Sequence, residues 1–368
     1  MRIAIVYNGL VERAGGVPGH IQLLRRDLTQ YGHQVDVLSM ETVPPLCRYL
    51  TWGLQRTLNW LRPPLGHLVR CKLSGPLLER VYQRRAKRAS YQGVVFETLC
   101  CCFPTGCPSV CVLHALLSDN LQAHRVSAQA LDQVRRFEGQ LLATCPARVV
   151  TTSEPYRDWI LKSLGPHLPS GWDRLGVVPL GVDTEAFAPS PQRPSPATEL
   201  RLLYVGILEA RKNLPFALKV AQRVLLPRPQ AMLTLIGSGP EERSLKREVT
   251  SLGLTRQVRF LGELSPARVA QEMPRHHLLL LPSLKESFAH VLLEAKLAGL
   301  VTLATAGLEV PPAFCDYSLP LETELWVKQI ETVEGDWQSV QNSAQVESLR
   351  QAYSSRRVAQ DLHRYLEN

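Results

Sequence analysis

Four groups of residues in this chain have types and spacings that suit chemistry on phosphate esters. Glu286 and Glu294 stand in the segment LLLLPSLKESFAHVLLEAKLAG, residues 278–299. A buried strand stops at Pro282-Ser283, and the spacing predicts a helix from near Phe288 to Gly299. Glu286 lies at that junction, where the N–H groups of Ala289, His290 and Val291 lack intrahelical partners. Donors of that kind suit a diphosphate. Glu294, two turns further on, can accept hydrogen bonds from a ribose diol. Two surface glutamates are the plainer alternative. Arg211 and Lys212 follow the strand at 201–206. An adjacent cation pair can neutralise a leaving diphosphate, the role otherwise given to a metal; a solvated helix start is the alternative. Gly15 and Gly16 lie between the strand at 2–7 and an amphipathic helix at 19–31. Glycines there let backbone approach a phosphate, or merely permit a tight turn. His114 ends an apolar strand, where a packed histidine is commoner than a catalytic one.

The elements that must position these groups alternate. Short β-branched runs occur at 2–7, 34–39, 93–97, 109–113, 148–152, 176–179, 201–206, 231–236, 257–261, 278–282 and 302–305. Several are apolar without alternation, as in strands buried on both faces of a parallel sheet. Helical stretches such as 214–226 and 240–252 separate them. The expected fold class is therefore α/β, with two Rossmann-like domains facing each other across a cleft. The Pro/Ser-rich stretch beginning at Ala188 reads as a linker. The expected organisation is a Rossmann-like domain at 1–187, a linker at 188–199, a second Rossmann-like domain at 200–350 and a C-terminal helix at 351–368 that packs back on the first domain.

Composition narrows the function classes. In 368 residues there are 42 Lys+Arg and 33 Asp+Glu, and the excess is local. Residues 48–88 carry ten basic residues and one acid, Glu79, while the remainder is balanced. No run of eighteen apolar residues and no signal-peptide pattern occurs, so a cytoplasmic protein is expected. The nine cysteines, with a triplet at 100–102, make a poor disulfide framework and suit a reducing compartment. The cysteines at 100–111 lack the paired knuckles of a zinc site, and no metal site is expected. Neither G-x-G-x-x-G nor a P-loop is present, and no Asp-x-Asp occurs to hold a metal–diphosphate complex.

Taken in order, the motifs resemble those of the retaining glycosyltransferases of family four. They are the Gly-Gly loop at 15–16, HQVDVLS at 33–39, VCVLH at 110–114, VVTTSE at 149–154, VVPLGVDTEAF at 177–187, LEARKN at 208–213, IGSGP at 236–240, VRFLGEL at 258–264 and the E-x7-E at 286–294. The resemblance covers nearly the whole chain and implies the GT-B fold. It also implies roles. Gly15 and Gly16 approach the donor phosphate, and His114 lies near the reacting sugar. Arg211 and Lys212 clamp the diphosphate. Glu286 meets hydroxyls of the transferred sugar, and Glu294 the ribose. The main chain of Ser287, Phe288, Ala289, His290 and Val291 lines the donor pocket, and Gly237 admits the nucleoside.

The reaction so implied moves a hexose from a nucleotide sugar, GDP-mannose or a UDP-hexose, to a hydroxyl of a glycan or lipid-linked acceptor. It proceeds with retention and needs neither metal nor cofactor. Two departures from the family pattern stand out. Gly206-Ile207 replaces the usual Gly-Arg, and residues 300–316 differ from the usual turn, with Glu309 as the counterpart of its glutamate. They keep a non-catalytic sugar-nucleotide-binding protein as an alternative. Nucleic acid is the least supported reading of the charge, because no binding motif accompanies it. The segment 48–88, which also holds Tyr49, Trp52, Leu54, Leu58, Trp60, Leu61 and Leu65, suits an anionic membrane surface at the inner face, or else a solvated helical face.

Overall fold

The β-branched runs become strands and the stretches between them helices. The computed structural model describes residues 1–368 apart from 13–14, 62, 123–125, 191–192, 338–342 and 368. The strands are β1 (Arg2–Val6), β2 (Gln34–Leu38), β3 (Gly93–Phe96), β4 (Ser109–Leu113), β5 (Arg148–Thr151), β6 (Leu175–Val177), β7 (Arg201–Val205), β8 (Met232–Ile236), β9 (Val258–Gly262), β10 (Leu278–Leu281), β11 (Val301–Thr305) and β12 (Tyr317–Leu319). The helices that matter below are α1 (Gly16–Gln30), α2 (Pro45–Leu61), α3 (Pro63–Ala86), α4 (Leu214–Leu225), α5 (His290–Leu297) and α6 (Ser355–Glu367).

The chain divides into two units, Met1–Gly181 with Ser355–Asn368, and Val182–Ser354. Each holds a six-stranded sheet, in the orders β2-β1-β3-β4-β5-β6 and β12-β11-β10-β7-β8-β9. Every pairing is parallel. Parallel strands need helical crossovers, which cover both faces of the sheet. That is why the central strands read as unbroken apolar runs: all four residues of β3 and of β10 are buried. Each sheet reverses its winding once, between β1 and β3 in the first unit and between β7 and β10 in the second. Loops that leave the sheet on either side of such a reversal diverge and open a crevice at the carboxyl ends of the strands.

Two expected boundaries shift. The units meet in sequence at Gly181–Val182, and the stretch expected as a linker at 188–199 belongs to the second unit. Arg193 shows why: its guanidinium donates to the carbonyls of Pro274, Ala298 and Gly299, which pins the segment down. The chain re-enters the first unit at Ser355, four residues after the expected start of the last helix. Helix α6 lies on that unit through Leu366 against Gly93, a His33–His363 stack at 4.4 Å and a hydrogen bond from Arg26 to Ser355. All nine cysteines are free thiols, and Cys101 and Cys111 are buried in the core of the first unit.

Helix α2 is turned inside out. Its exposed large apolar residues are Leu46, Tyr49, Leu50 and Leu54, 50–71% accessible, alongside the exposed Gly53, Arg56 and Thr57. Thr51 on the opposite face is buried, and Trp52 is half-buried beneath the Arg48 guanidinium. Trp52 therefore packs inward instead of facing solvent with the other apolar residues. The side chains of Trp60, Leu61 and Leu65 lie outside the described residues. Among the described residues, no helix is long and apolar enough to cross a membrane.

Candidate active site

In the second unit the site is built on the strands at the winding reversal. Residues 206–213 leave β7 and residues 282–289 leave β10, its neighbour in the sheet. The two loops are clipped together. Leu284 N–H donates to the Arg211 carbonyl at 2.9 Å, and the Arg211 guanidinium donates to the Lys285 carbonyl at 2.7 Å. The clip brings three charges to one point. Lys212 Nζ lies 2.5 Å from Glu286 Oε1, and Arg211 Nη1 lies 3.5 Å from Oε2. Glu209 holds the far side of the Arg211 guanidinium at 2.9 Å. Sequence reasoning missed Glu209, although it stands two residues before the cation pair.

The backbone here is unusual. Asn213 (φ 51°) and Ala289 (φ 57°) are the non-glycine residues in the left-handed region among the described residues, and each directly precedes a helix, α4 and α5. Such conformations cost about 1–3 kcal/mol and persist where the surroundings enforce them, commonly at ligand-binding sites. Helix α5 starts at His290, two residues later than the sequence predicted, because Ala289 turns the chain first. Ala289, His290 and Val291 thus stand at its amino end, with Ser287 and the buried Phe288 leading into it. Gly237 follows β8, the other neighbour of β7. A Cβ there would lie 2.0 Å from the Gly206 carbonyl oxygen, so the close approach of the β7 loop by itself requires glycine.

The two glutamates of the E-x7-E pair are electrically different. Burial pushes the Glu286 carboxyl up, but Lys212 and Arg211 more than offset this and hold it below the usual carboxylate range. Glu294, on α5, has no such cation beside it among the described residues, and burial pushes it up to about 7. Glu309 pairs with Lys285 at 2.6 Å, so the divergent 300–316 segment still reaches the site loop. Ile207, in place of the family's usual arginine, is 47% exposed.

In the first unit the corresponding strand ends carry a second cluster. Gly15 caps α1 at its amino end and Gly16 begins it, at the end of the loop that leaves β1. His114 follows β4, and its Nε2 lies 2.6 Å from Glu97 Oε2. His20, one turn into α1, has Nε2 3.8 Å from the other Glu97 oxygen, and the two imidazoles meet edge to face at 5.5 Å. Burial raises the Glu97 carboxyl to about 7 and lowers the His114 imidazole to about 3. Both shifts favour neutral partners sharing one proton. Neither Glu97 nor His20 was singled out from the sequence. The available signals were a charge ending the apolar run GVVFE and a histidine five residues after Gly15.

With this geometry in hand, comparison with known proteins is informative. The family description "Glycosyltransferase Family 4" matches residues 14–186, and "Glycosyl transferases group 1" matches residues 188–334.

The chain belongs to the family-four glycosyltransferases.

It is 26% identical over 325 residues to a phosphatidylinositol N-acetylglucosaminyltransferase subunit of Arabidopsis thaliana, covering 86% of this chain and 70% of that one. It is 30% identical over 203 residues to glycogen synthase of Mycobacterium tuberculosis, covering 55% of this chain and 47% of the synthase. Among solved structures, sucrose-phosphate synthase from Thermosynechococcus elongatus superimposes with a TM-score of 0.74 at 18% identity, over 99% of this chain and 97% of that one. Anabaena HepE, solved with UDP and glucose, gives 0.71 at 18% identity over 99% of both chains. The structural likenesses establish the GT-B fold of this glycosyltransferase.

Proposed function

We propose that this glycosyltransferase moves a hexose from a nucleotide sugar, UDP-linked or GDP-linked, to a hydroxyl of a glycan or lipid-linked acceptor, with retention and without a metal. The observation that carries the reading is the convergence of Lys212 and Arg211 on Glu286 at the amino end of α5. Breaking the sugar–phosphate bond places negative charge on the departing diphosphate. Two fixed cations beside the amino end of a helix meet that charge at little reorganisation cost. The carboxylate that now engages them suits the hydroxyls of the transferred sugar, and Glu294 the ribose. His114, Gly15 and Gly16 serve the sugar and phosphate from the first unit. Retention is achieved by same-face attack assisted by the leaving phosphate. The UDP and glucose held by HepE support a UDP-sugar as the first donor to try. A panel of UDP- and GDP-hexoses, assayed with and without EDTA, tests this. Turnover of one donor, unaffected by chelation, is expected. Complete dependence on added metal would remove the metal-free step, and binding without turnover would favour a non-catalytic role.

The outward apolar face of α2 points to where the acceptor resides. Leu46, Tyr49, Leu50 and Leu54 face solvent on a helix whose neighbour α3 carries the exposed Lys72, Arg80, Arg84 and Arg85. An apolar stripe beside a basic one suits insertion at an anionic bilayer surface. The protein should co-sediment with vesicles containing anionic lipid and much less with neutral ones. The double change Leu50→Asp and Leu54→Asp should reduce that binding at least tenfold. Equal, negligible sedimentation with both vesicle types would sink the membrane reading.

A further inference from the structure

Glu97 is the most enclosed acid near the first unit's strand ends, 1% exposed. Its ion-pair partners among the described residues are the two histidines. A buried carboxyl without a cation is costly unless its hydrogen bonds repay it. Here the return is orientation. The Glu97 backbone N–H donates to the Val6 carbonyl, which fixes the residue to the end of the neighbouring strand β1. Its carboxyl then reaches His114 Nε2 at 2.6 Å, and the His20 ring stands edge to face against the same imidazole. His114 Nδ1 is buried and has no hydrogen-bond partner among the described residues. An imidazole held at one nitrogen presents a defined tautomer at the other.

We propose that Glu97 is a positioning residue for His114, gripping Nε2 so that the imidazole is held in one fixed tautomer and ring orientation. The proposal rests on the transferase reading, in which His114 lies near the transferred sugar. The carboxyl contacts no substrate itself. Its contribution is to remove the ring rotations and tautomer exchange that would otherwise be lost on binding. The ligand atoms of His20, Glu97 and His114 all lie within 4.8 Å of one another, a set that also suits a metal ion. Two ligands of a tetrahedral zinc stand roughly 3.4 Å apart. The 2.6 Å separation of Glu97 and His114 is that of a shared proton.

The test combines spectroscopy with kinetics on the full chain. Nitrogen-15 shifts of His114 should report one dominant tautomer in the native protein. Glu97→Ala should populate both tautomers and lower kcat roughly 10- to 100-fold, with donor KM changed only a few-fold. Glu97→Gln, nearly the same shape and still able to hydrogen bond, should restore one dominant tautomer and keeps the test open if the alanine variant fails to fold. An unchanged tautomer and kcat in Glu97→Ala would overturn the proposal. So would one tightly retained zinc per chain that moves the same resonances. Absence of turnover by the native protein with every donor would instead break the transferase reading, and the tautomer measurement would still decide the role of Glu97.

Discussion

The two strand-end clusters contain the same ingredient, a buried carboxylate, in opposite electrical states. Glu286 sits against Lys212 and Arg211 and is held ionised. Glu97 sits against two imidazoles, and burial raises it to about 7. Permanent cations can offset the desolvation of a carboxylate, whereas the buried His114 imidazole gives up its own charge first. The second unit is thus a charged site suited to phosphate. In the first, the Glu97–His114 pair is neutral and shares a proton.

The comparison breaks most directly at Lys212. Lys212→Ala should lower kcat by about 10²–10³-fold, because one of two charges facing the departing diphosphate is lost. It also leaves Glu286 with Arg211 alone, at 3.5 Å. Steady-state turnover with the donor found in the panel checks this, with circular dichroism to confirm folding. Near-native turnover would take Lys212 out of the mechanism.

A smaller effect sharpens the comparison through pH. Glu97 binds its proton more tightly in the folded chain than at its ordinary value of 4.5. Its favourable contribution is therefore full below about pH 4.5 and is lost as pH rises through about 7. Glu286 has the reverse sign. Its contribution is present above the ordinary carboxylate value and is lost as pH falls through its depressed folded value. Melting temperatures measured against pH should separate the two. Glu97→Gln should gain on the native protein by a few degrees between about pH 4.5 and 7, while Glu286→Gln should lose ground over the rise from acid to neutral pH. Parallel curves for the two variants would show that the electrical contrast is wrong.

Much of the fold was legible because parallel strands buried on both faces leave an unbroken apolar signature. Eleven of the twelve strands coincide with β-branched or apolar runs in the sequence, several of them unbroken. The missed one, Tyr317–Leu319, is three residues long at a sheet edge and half-exposed, so no apolar run announces it. The inside-out face of α2 was not legible either. Periodicity shows that a helix has an apolar side, while only neighbouring elements decide which side they cover.

The site divides in the same way. Gly15, Gly16, Arg211, Lys212, Glu286 and Glu294 could be named from the sequence because each lies within one strand–loop–helix passage, where local order dictates which groups face the strand end. The chain by itself also determined two doubly wound halves and the confinement of the excess charge to residues 48–88. Tertiary structure alone decided that Arg211 and Lys212 close on Glu286, some 74 residues away, and that Glu97 lies between His114 and His20. Parallel sheet order is the physical reason. It sets β7 beside β10 and β3 between β1 and β4, so strand ends remote in sequence become neighbours. The ionisation of each carboxylate depends on that neighbourhood, because desolvation and nearby charge act through space.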